Sequence, residues 1–320
     1  MKENKRIRKI VLTAVFCAVV FCRLPVIGEA SGGEWGQVIY QKDSLYHRIF
    51  VYKNGSVVTL RFGKQPAVQM QSQVDLNNLR LHMLSYTKLA FCGLLYQPQP
   101  KRMLVLGLGG GVIPREMHYY FPALVIDVAE IDPEIQQTAE QFFDFHEDDR
   151  LKVHISDGRM FIKELLRQET PEKYDCIILD AFNSEYIPFH LMTKEFLEQV
   201  KGVLADDGVV VANVFQDNRL FDAELATFLA VFGRCQVFVD ENPSTNAMLV
   251  SPGPKGQTLA VDEAVSRART LQHKVDFSFD MVDVASRLRP NIRPEANIKV
   301  LTDDRAPVNQ LRTQQRRKLP

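Results

Sequence analysis

Between Met103 and Val214 the chain alternates short apolar runs with amphipathic stretches, and this alternation narrows the fold more than any other feature. The runs are Met103–Leu106, Val125–Glu130, Lys152–Ile155, Asp175–Leu179 and Gly208–Val214. Stretches such as "CIILD" and "GVVVANV" are apolar at consecutive positions, so both faces of those strands must be covered. Parallel strands sandwiched between two helical layers have that property. Helical patterns beginning near Val112, Pro133, Gly158 and Thr193 fall between the strands and supply the layers. The predicted class is therefore α/β, with a doubly wound, mostly parallel sheet. Gln236–Asp240 and Ala247–Val250 read as two further strands that close it.

The flanks are organised differently. From Val38 to Gln73 the pattern is that of a β-meander, with Asn54-Gly55 placed for a type I′ hairpin turn in "YHRIFVYKNGSVVTLRF". The same residues form a glycosylation sequon with Ser56, but the turn accounts for them fully. A helical pattern spans Leu76 to Leu95, and "YQPQPKR" is a linker after it. Thr258 to Leu288 also reads as helical, and "QLRTQQRRKLP" is a polar basic tail. The expected divisions are a small β-domain over residues 31–74, the α/β domain over 75–255, and a helical segment with tail over 256–320.

The N-terminus has the layout of a secretory signal: basic "MKENKRIRK", the apolar run Ile10 to Cys22, then small residues in "RLPVIGEASGG". That run is shorter than the roughly 20 residues that span a bilayer. Residues 1–30 are thus expected to act as a signal peptide cut after Ala30, or as an N-terminal anchor. The protein would be exported or membrane-associated, periplasmic in a bacterium, with a cytoplasmic location as the alternative.

Lys plus Arg equals Asp plus Glu at 39 each, so no overall charge suggests a nucleic-acid partner. Residues 1–30 hold six of the Lys/Arg and two of the Asp/Glu; without them 33 face 37, a formal charge of −4. Cys92, Cys176 and Cys235 lie scattered in apolar contexts and read as buried thiols. No CxxC, HExxH or GxSxG occurs, and the seven histidines lack metal-ligand spacing, so no metal is expected. His190, in "YIPFHLMT", is the histidine placed to approach a pocket at the strand ends. Trp35 is placed to pack on the meander, and Glu147-Asp148-Asp149 reads as a solvated turn.

"LVLGLGGGVIPRE", Leu104 to Glu116, is a buried strand that breaks into glycines and restarts as a helix. Turns of this kind let a ligand approach the backbone and serve nicotinamide cofactors, nucleotides and S-adenosyl compounds. Gly107 and Gly109 fit the first two positions of the dinucleotide fingerprint, but the third falls on Val112. A Walker loop would end in Gly-Lys-Ser/Thr, where this turn runs Ile113-Pro114-Arg115. A turn that only packs helix against strand is the plain alternative. Two acids favour a nucleoside pocket on a Rossmann-like sheet. Glu130 ends the second strand, 23 residues after Gly107, where a carboxylate can accept both ribose hydroxyls. Asp157 ends the third strand, where an acid can accept the amino group of adenine. Either alone could be a helix N-cap.

"MLVLGLGGGVIPRE", "VIDVAEIDPEI", "LKVHISDGRMFI", "YDCIILDAF", "FLEQVKGVLADDGVVVANV" and "LTDDRAPVNQL" resemble, in sequence and order, the spermidine synthase (polyamine aminopropyltransferase) family. They look most like its divergent branch, often fused to transporter-like membrane segments. The resemblance covers roughly Leu76 to Leu311 and is fainter over the meander. It implies the fold of class I S-adenosylmethionine-dependent transferases. It also implies that Gly107, Gly109, Gly110 and Glu130 hold the methionine and ribose parts of decarboxylated S-adenosylmethionine. Asp157, beside Gly158, would hold the adenine, and Asp180 would take a proton from the attacking amine, putrescine for instance. A homodimer is a further implication.

The chain departs from that family at three places. The acid usual within the glycine turn is replaced by Gly110, and a second acid three residues beyond the base is replaced by Asn183. The family's Tyr-Gln pair is not evident in "NNLRLHML", and Glu185 is an alternative source of negative charge. Three readings follow: aminopropyl transfer to an amine, methyl transfer from ordinary S-adenosylmethionine on the same scaffold, and a non-catalytic protein that keeps the fold.

Overall fold

The computed structural model describes residues 35–64, 67–182, 187–240 and 246–314. The expected leader, residues 1–30, lies outside the described residues. Among those described, no helix is long and apolar enough to cross a membrane.

The chain opens with four antiparallel strands in sequential order: β1 (Gln37–Asp43), β2 (Arg48–Asn54), β3 (Val57–Lys64) and β4 (Ala67–Asp75). The hairpin forms where expected, but Asn54 pairs with Val57, so Gly55 and Ser56 are the central residues; positive φ at Gly55 alone (60°) corrects the type I′ expectation to the type II′ pattern. The alternation of the meander sends Ile49, Val51, Val58, Leu60 and Val74 into the main core. Phe50 and Tyr52, on the other face, pack with Trp35, over which the Arg61 guanidinium sits at 4.5 Å.

The second sheet is built from β5 (Arg102–Leu106), β6 (Val125–Glu130), β7 (Leu151–Ile155), β8 (Tyr174–Leu179), β9 (Leu204–Phe215), β10 (Gln236–Val239), β11 (Asn246–Pro252) and β12 (Leu288–Arg289). Their order is β12-β10-β11-β9-β8-β5-β6-β7, with β5 to β9 parallel and the last three added antiparallel. Consecutive apolar residues serve opposite faces. Val105, Ile178 and Val211 join one core with α2 (Val112–Tyr120), α3 (Pro133–Phe142), α7 (Val261–Lys274), α8 (Met281–Ser286) and the meander. Leu106, Ile177 and Val210 join the other, with α4 (Gly158–Leu166), α5 (Lys194–Val203), α6 (Arg219–Phe232) and α9 (Val308–Arg312). Strand order reverses between β5 and β8, and open α/β sheets bind their ligands at the C-terminal ends of such a pair.

Three further expectations need correction. The helix over Leu76 to Leu95 is confined to α1 (Ser85–Leu89), followed by a buried 3-10 turn, Ala90–Leu95. Asp75 accepts the N–H of Asn77, and turns closed by Asn78 and Leu81 N–H groups follow, so local side-chain bonding displaces the helix. The stretch Thr258 to Leu288 is broken between α7 and α8, where Phe277 and Phe279 turn inward and Asp280 caps α8. Leu288 pairs with Phe238 at the sheet edge rather than ending a helix. Finally, β9 begins at Leu204, four residues before Gly208. Cys92, Cys176 and Cys235 are free and buried, as expected.

Candidate active site

The glycine turn leaves β5 at the point of reversal. Gly107 has φ 97°, and a Cβ there would meet the Asp180 carbonyl oxygen at 2.5 Å. Glycine is therefore required where the ends of β5 and β8 converge. Glu130, at the end of β6, is 7% exposed. Its Oε2 accepts the N–H of Leu108 and its Oε1 the N–H of Asp132, both at 2.9 Å. Burial pushes its carboxyl up to about 7, against the pull of those two N–H groups. Glu130 thus ties the glycine turn to the next βα turn.

Asp157 is the N-cap of α4 and also lines the cavity at the strand ends. Its Oδ1 caps α4, accepting the N–H groups of Arg159 and Met160 at 3.0 Å, while its Oδ2 lies 2.8 Å from His190 Nε2. The His190 contact is the main cause holding this carboxyl below its ordinary range. Gly158, next to it, packs against the Leu106 side chain.

Asp180 directly follows β8. Its Oδ1 accepts from Asn213 Nδ2 at 2.7 Å, the only hydrogen bond to its carboxylate among the described residues. Asn213 is itself oriented by Asn246, whose Nδ2 donates to Asn213 Oδ1 at 2.8 Å. Burial drives the Asp180 carboxyl up to about 7, and the Asn213 amide opposes it. Glu130, buried, and Asp180, partly buried, are therefore groups with proton affinities near neutrality, a pattern typical of working sites.

Gly107, Glu130, Asp157, Asp180, His190 and Asn213 line one cavity of about 550 Å³. That is the size of a site for a nucleoside-bearing ligand. The meander contributes Tyr46, His47 and Ser72 to its wall, so the site is built from both sheets. The β1–β2 turn is anchored there by the Ser44 hydroxyl, which donates to Asp132, and by His47 stacked on Phe62 at 4.2 Å. Among the described residues no group of His, Cys, Asp and Glu could hold a metal ion.

Gly110 occupies a crowded position. A Cβ there would meet Ser72 Oγ at 2.5 Å and Phe143 Cδ1 at 2.8 Å, so the acid usual at that position has no room. Asn183 and Glu185 lie outside the described residues. A tyrosine does reach the cavity, two residues beyond the segment read as lacking one. Tyr86 is partly buried, and its hydroxyl donates to the Gln71 carbonyl at 3.1 Å. The sequence reading also missed Asn213 and Asn246. Asn213, the one polar residue within "GVVVANV", was the available signal, since a 2% exposed amide needs a stated partner.

Comparison with known proteins agrees with this architecture. The spermine/spermidine synthase domain model matches residues 84–248. A polyamine aminopropyltransferase from Vibrio vulnificus is 35% identical over 280 residues, covering 86% of this chain and 91% of that protein. A mouse eEF1A lysine and N-terminal methyltransferase is 37% identical over 180 residues, covering 54% of this chain and 26% of that protein. A probable spermidine synthase from Corynebacterium glutamicum shares the fold at TM-score 0.65 and 19% identity, over 85% of this chain and 99% of that one. Human methyltransferase-like protein 13 in complex with SAH superimposes at TM-score 0.52 and 31% identity, over 67% of this chain and 95% of that one. With the sheet order, the glycine turn and the acids at the strand ends, these matches establish that the chain belongs to the spermine/spermidine synthase family.

Proposed function

We infer that the protein alkylates an amine with the aminopropyl group of decarboxylated S-adenosylmethionine, Asp180 serving as general base. The observation that carries this reading is Asp180 itself. It is a partly buried carboxylate with a proton affinity near neutrality, one oxygen held by Asn213 and the other unengaged among the described residues, at the wall of a nucleoside-sized cavity. An amine attacks only when neutral, and a base poised near the working pH removes its proton most effectively. The new C–N bond forms as the C–S bond of the sulfonium breaks. The electron pair stays on sulfur, leaving neutral methylthioadenosine, and the amine proton passes to Asp180. Alignment supplies much of the remaining rate. In this reading Glu130 receives the ribose hydroxyls, since each oxygen that accepts one N–H keeps a second acceptor position. Asp157 and Gly158 border the adenine, and Gly107, Gly109 and Gly110 border the aminopropyl chain.

One observation favours methyl transfer as the second reading. The place for an acid at position 110 is filled by Ser72 and Phe143. A donor that keeps its carboxylate would therefore meet no opposing charge there. Incubating the purified protein with putrescine and either labelled donor separates the cases. The aminopropyl reading predicts spermidine and methylthioadenosine from the decarboxylated donor. S-adenosylhomocysteine from the intact donor, or no product from either, would overturn it.

A further inference from the structure

The donor cavity is not the only polar feature at this edge of the sheet. Glu224, on α6, is 5% exposed and has no hydrogen-bond or ion-pair partner among the described residues. Other buried polar groups of the same helix are matched. Asp222 accepts the N–H of Glu295 at 3.1 Å, and the Thr227 hydroxyl donates to Ala223 O while accepting the N–H of Leu301. A carboxyl group buried without a partner is costly, so a native fold that keeps one calls for an explanation. Burial raises its carboxyl to about 8.

Glu224 lines a second, small cavity of about 10 Å³ with Phe182, Phe215, Asn218 and Arg312. That is room for one water-sized group. Phe182 and Phe215 also line the donor cavity, their rings in a T-shaped pair 5.2 Å apart. The two cavities therefore meet at this aromatic pair, with Asp180 on one side and Glu224 on the other. Both rings are only partly buried. An ammonium group is water-sized, is attracted to aromatic faces, and forms its strongest hydrogen bonds with a carboxylate.

We propose that Glu224 is the far-end subsite for the acceptor: one amine of a diamine or longer polyamine meets Asp180, and its second ammonium lodges between the Phe182 and Phe215 rings and Glu224. This deepens the amine-alkylation reading and rests on it. It supplies a negative charge to the acceptor in a chain whose Gly110 and Asn183 replace two of the family's acids.

The test compares 1,4-diaminobutane with n-butylamine by calorimetry on protein saturated with methylthioadenosine, in the native chain and in Glu224→Gln. The native protein should bind the diamine at least tenfold more tightly than the monoamine. Glu224→Gln, which keeps the shape and removes the charge, should bind both alike with its methylthioadenosine affinity unchanged. Glu224→Leu, which removes the buried carboxyl outright, should also lose the preference. Equal binding of the two amines by the native protein, or a preference that survives in both variants, overturns the subsite while leaving amine alkylation standing. If neither amine is bound or alkylated, the broader reading falls and the subsite with it.

Discussion

Glu130 joins two backbone turns and leaves acceptor capacity facing the cavity, so its loss should be felt first in ligand binding. A hydrogen bond to a charged group is worth about 1.5–3 kcal/mol. Glu130→Ala should therefore weaken methylthioadenosine binding by at least tenfold in calorimetry, and unchanged affinity would remove Glu130 from the donor site. Gly110 makes the opposite kind of demand. Its missing Cβ is what admits Ser72 and Phe143, and overpacking of this sort costs about 1–3 kcal/mol. Gly110→Ala should lower the melting temperature, and adding Ser72→Gly should recover part of the loss. A Gly110→Ala variant as stable as the native chain would mean that the contact relaxes at no cost.

At the scale of elements, legibility followed the length of the pattern. Strands β5 to β9 were readable because burial between two helical layers leaves an apolar signature that little else produces. The starts of α2, α3 and α4 were readable from the residues that begin helices: glycine, proline after Asp132, and Asp157. The segment before β5 was not, because Asp75 and the asparagines after it bond locally and the apolar run that follows winds as a 3-10 turn. The break between α7 and α8 was hidden for a related reason. Phe277 and Phe279 continue an apolar rhythm while leaving the helix to fill the core. In the site, the glycines and the three acids were legible because each ends a strand. Asn213, Asn246 and Tyr86 were not, since they acquire their places only when β9, β11 and α1 are brought together.

Across the whole molecule, three acids with raised carboxyls make a shared prediction. Asp180 and Glu130 are held at about 7 and Glu224 at about 8 in the folded chain, well above ordinary carboxyl values. Between those ordinary values and neutrality these three acids bind more protons in the folded state than in the unfolded one, outweighing His82, whose imidazole burial lowers to about 3, so stability falls as pH rises through that window. The melting temperature should decline from pH 5 to pH 8, and Asp180→Asn and Glu224→Gln should each flatten the decline. A melting temperature that climbs over this range in the native chain, with the variants parallel to it, would contradict the placement of these acids. The same arrangement implies a trade, because groups that destabilise the fold near neutrality are those the proposed chemistry uses.

The central claim is that Asp180 takes the proton of the attacking amine. Asparagine at this position keeps the shape and an oxygen for the Asn213 amide, but it cannot accept that proton near neutral pH. The most direct measurement is the single-turnover rate of Asp180→Asn at saturating decarboxylated donor and putrescine, beside its affinity for methylthioadenosine. The account predicts a rate lower by about 10²–10⁴, the range for a lost acid–base group, with affinity near that of the native chain. An asparagine variant that transfers at the native rate would contradict it.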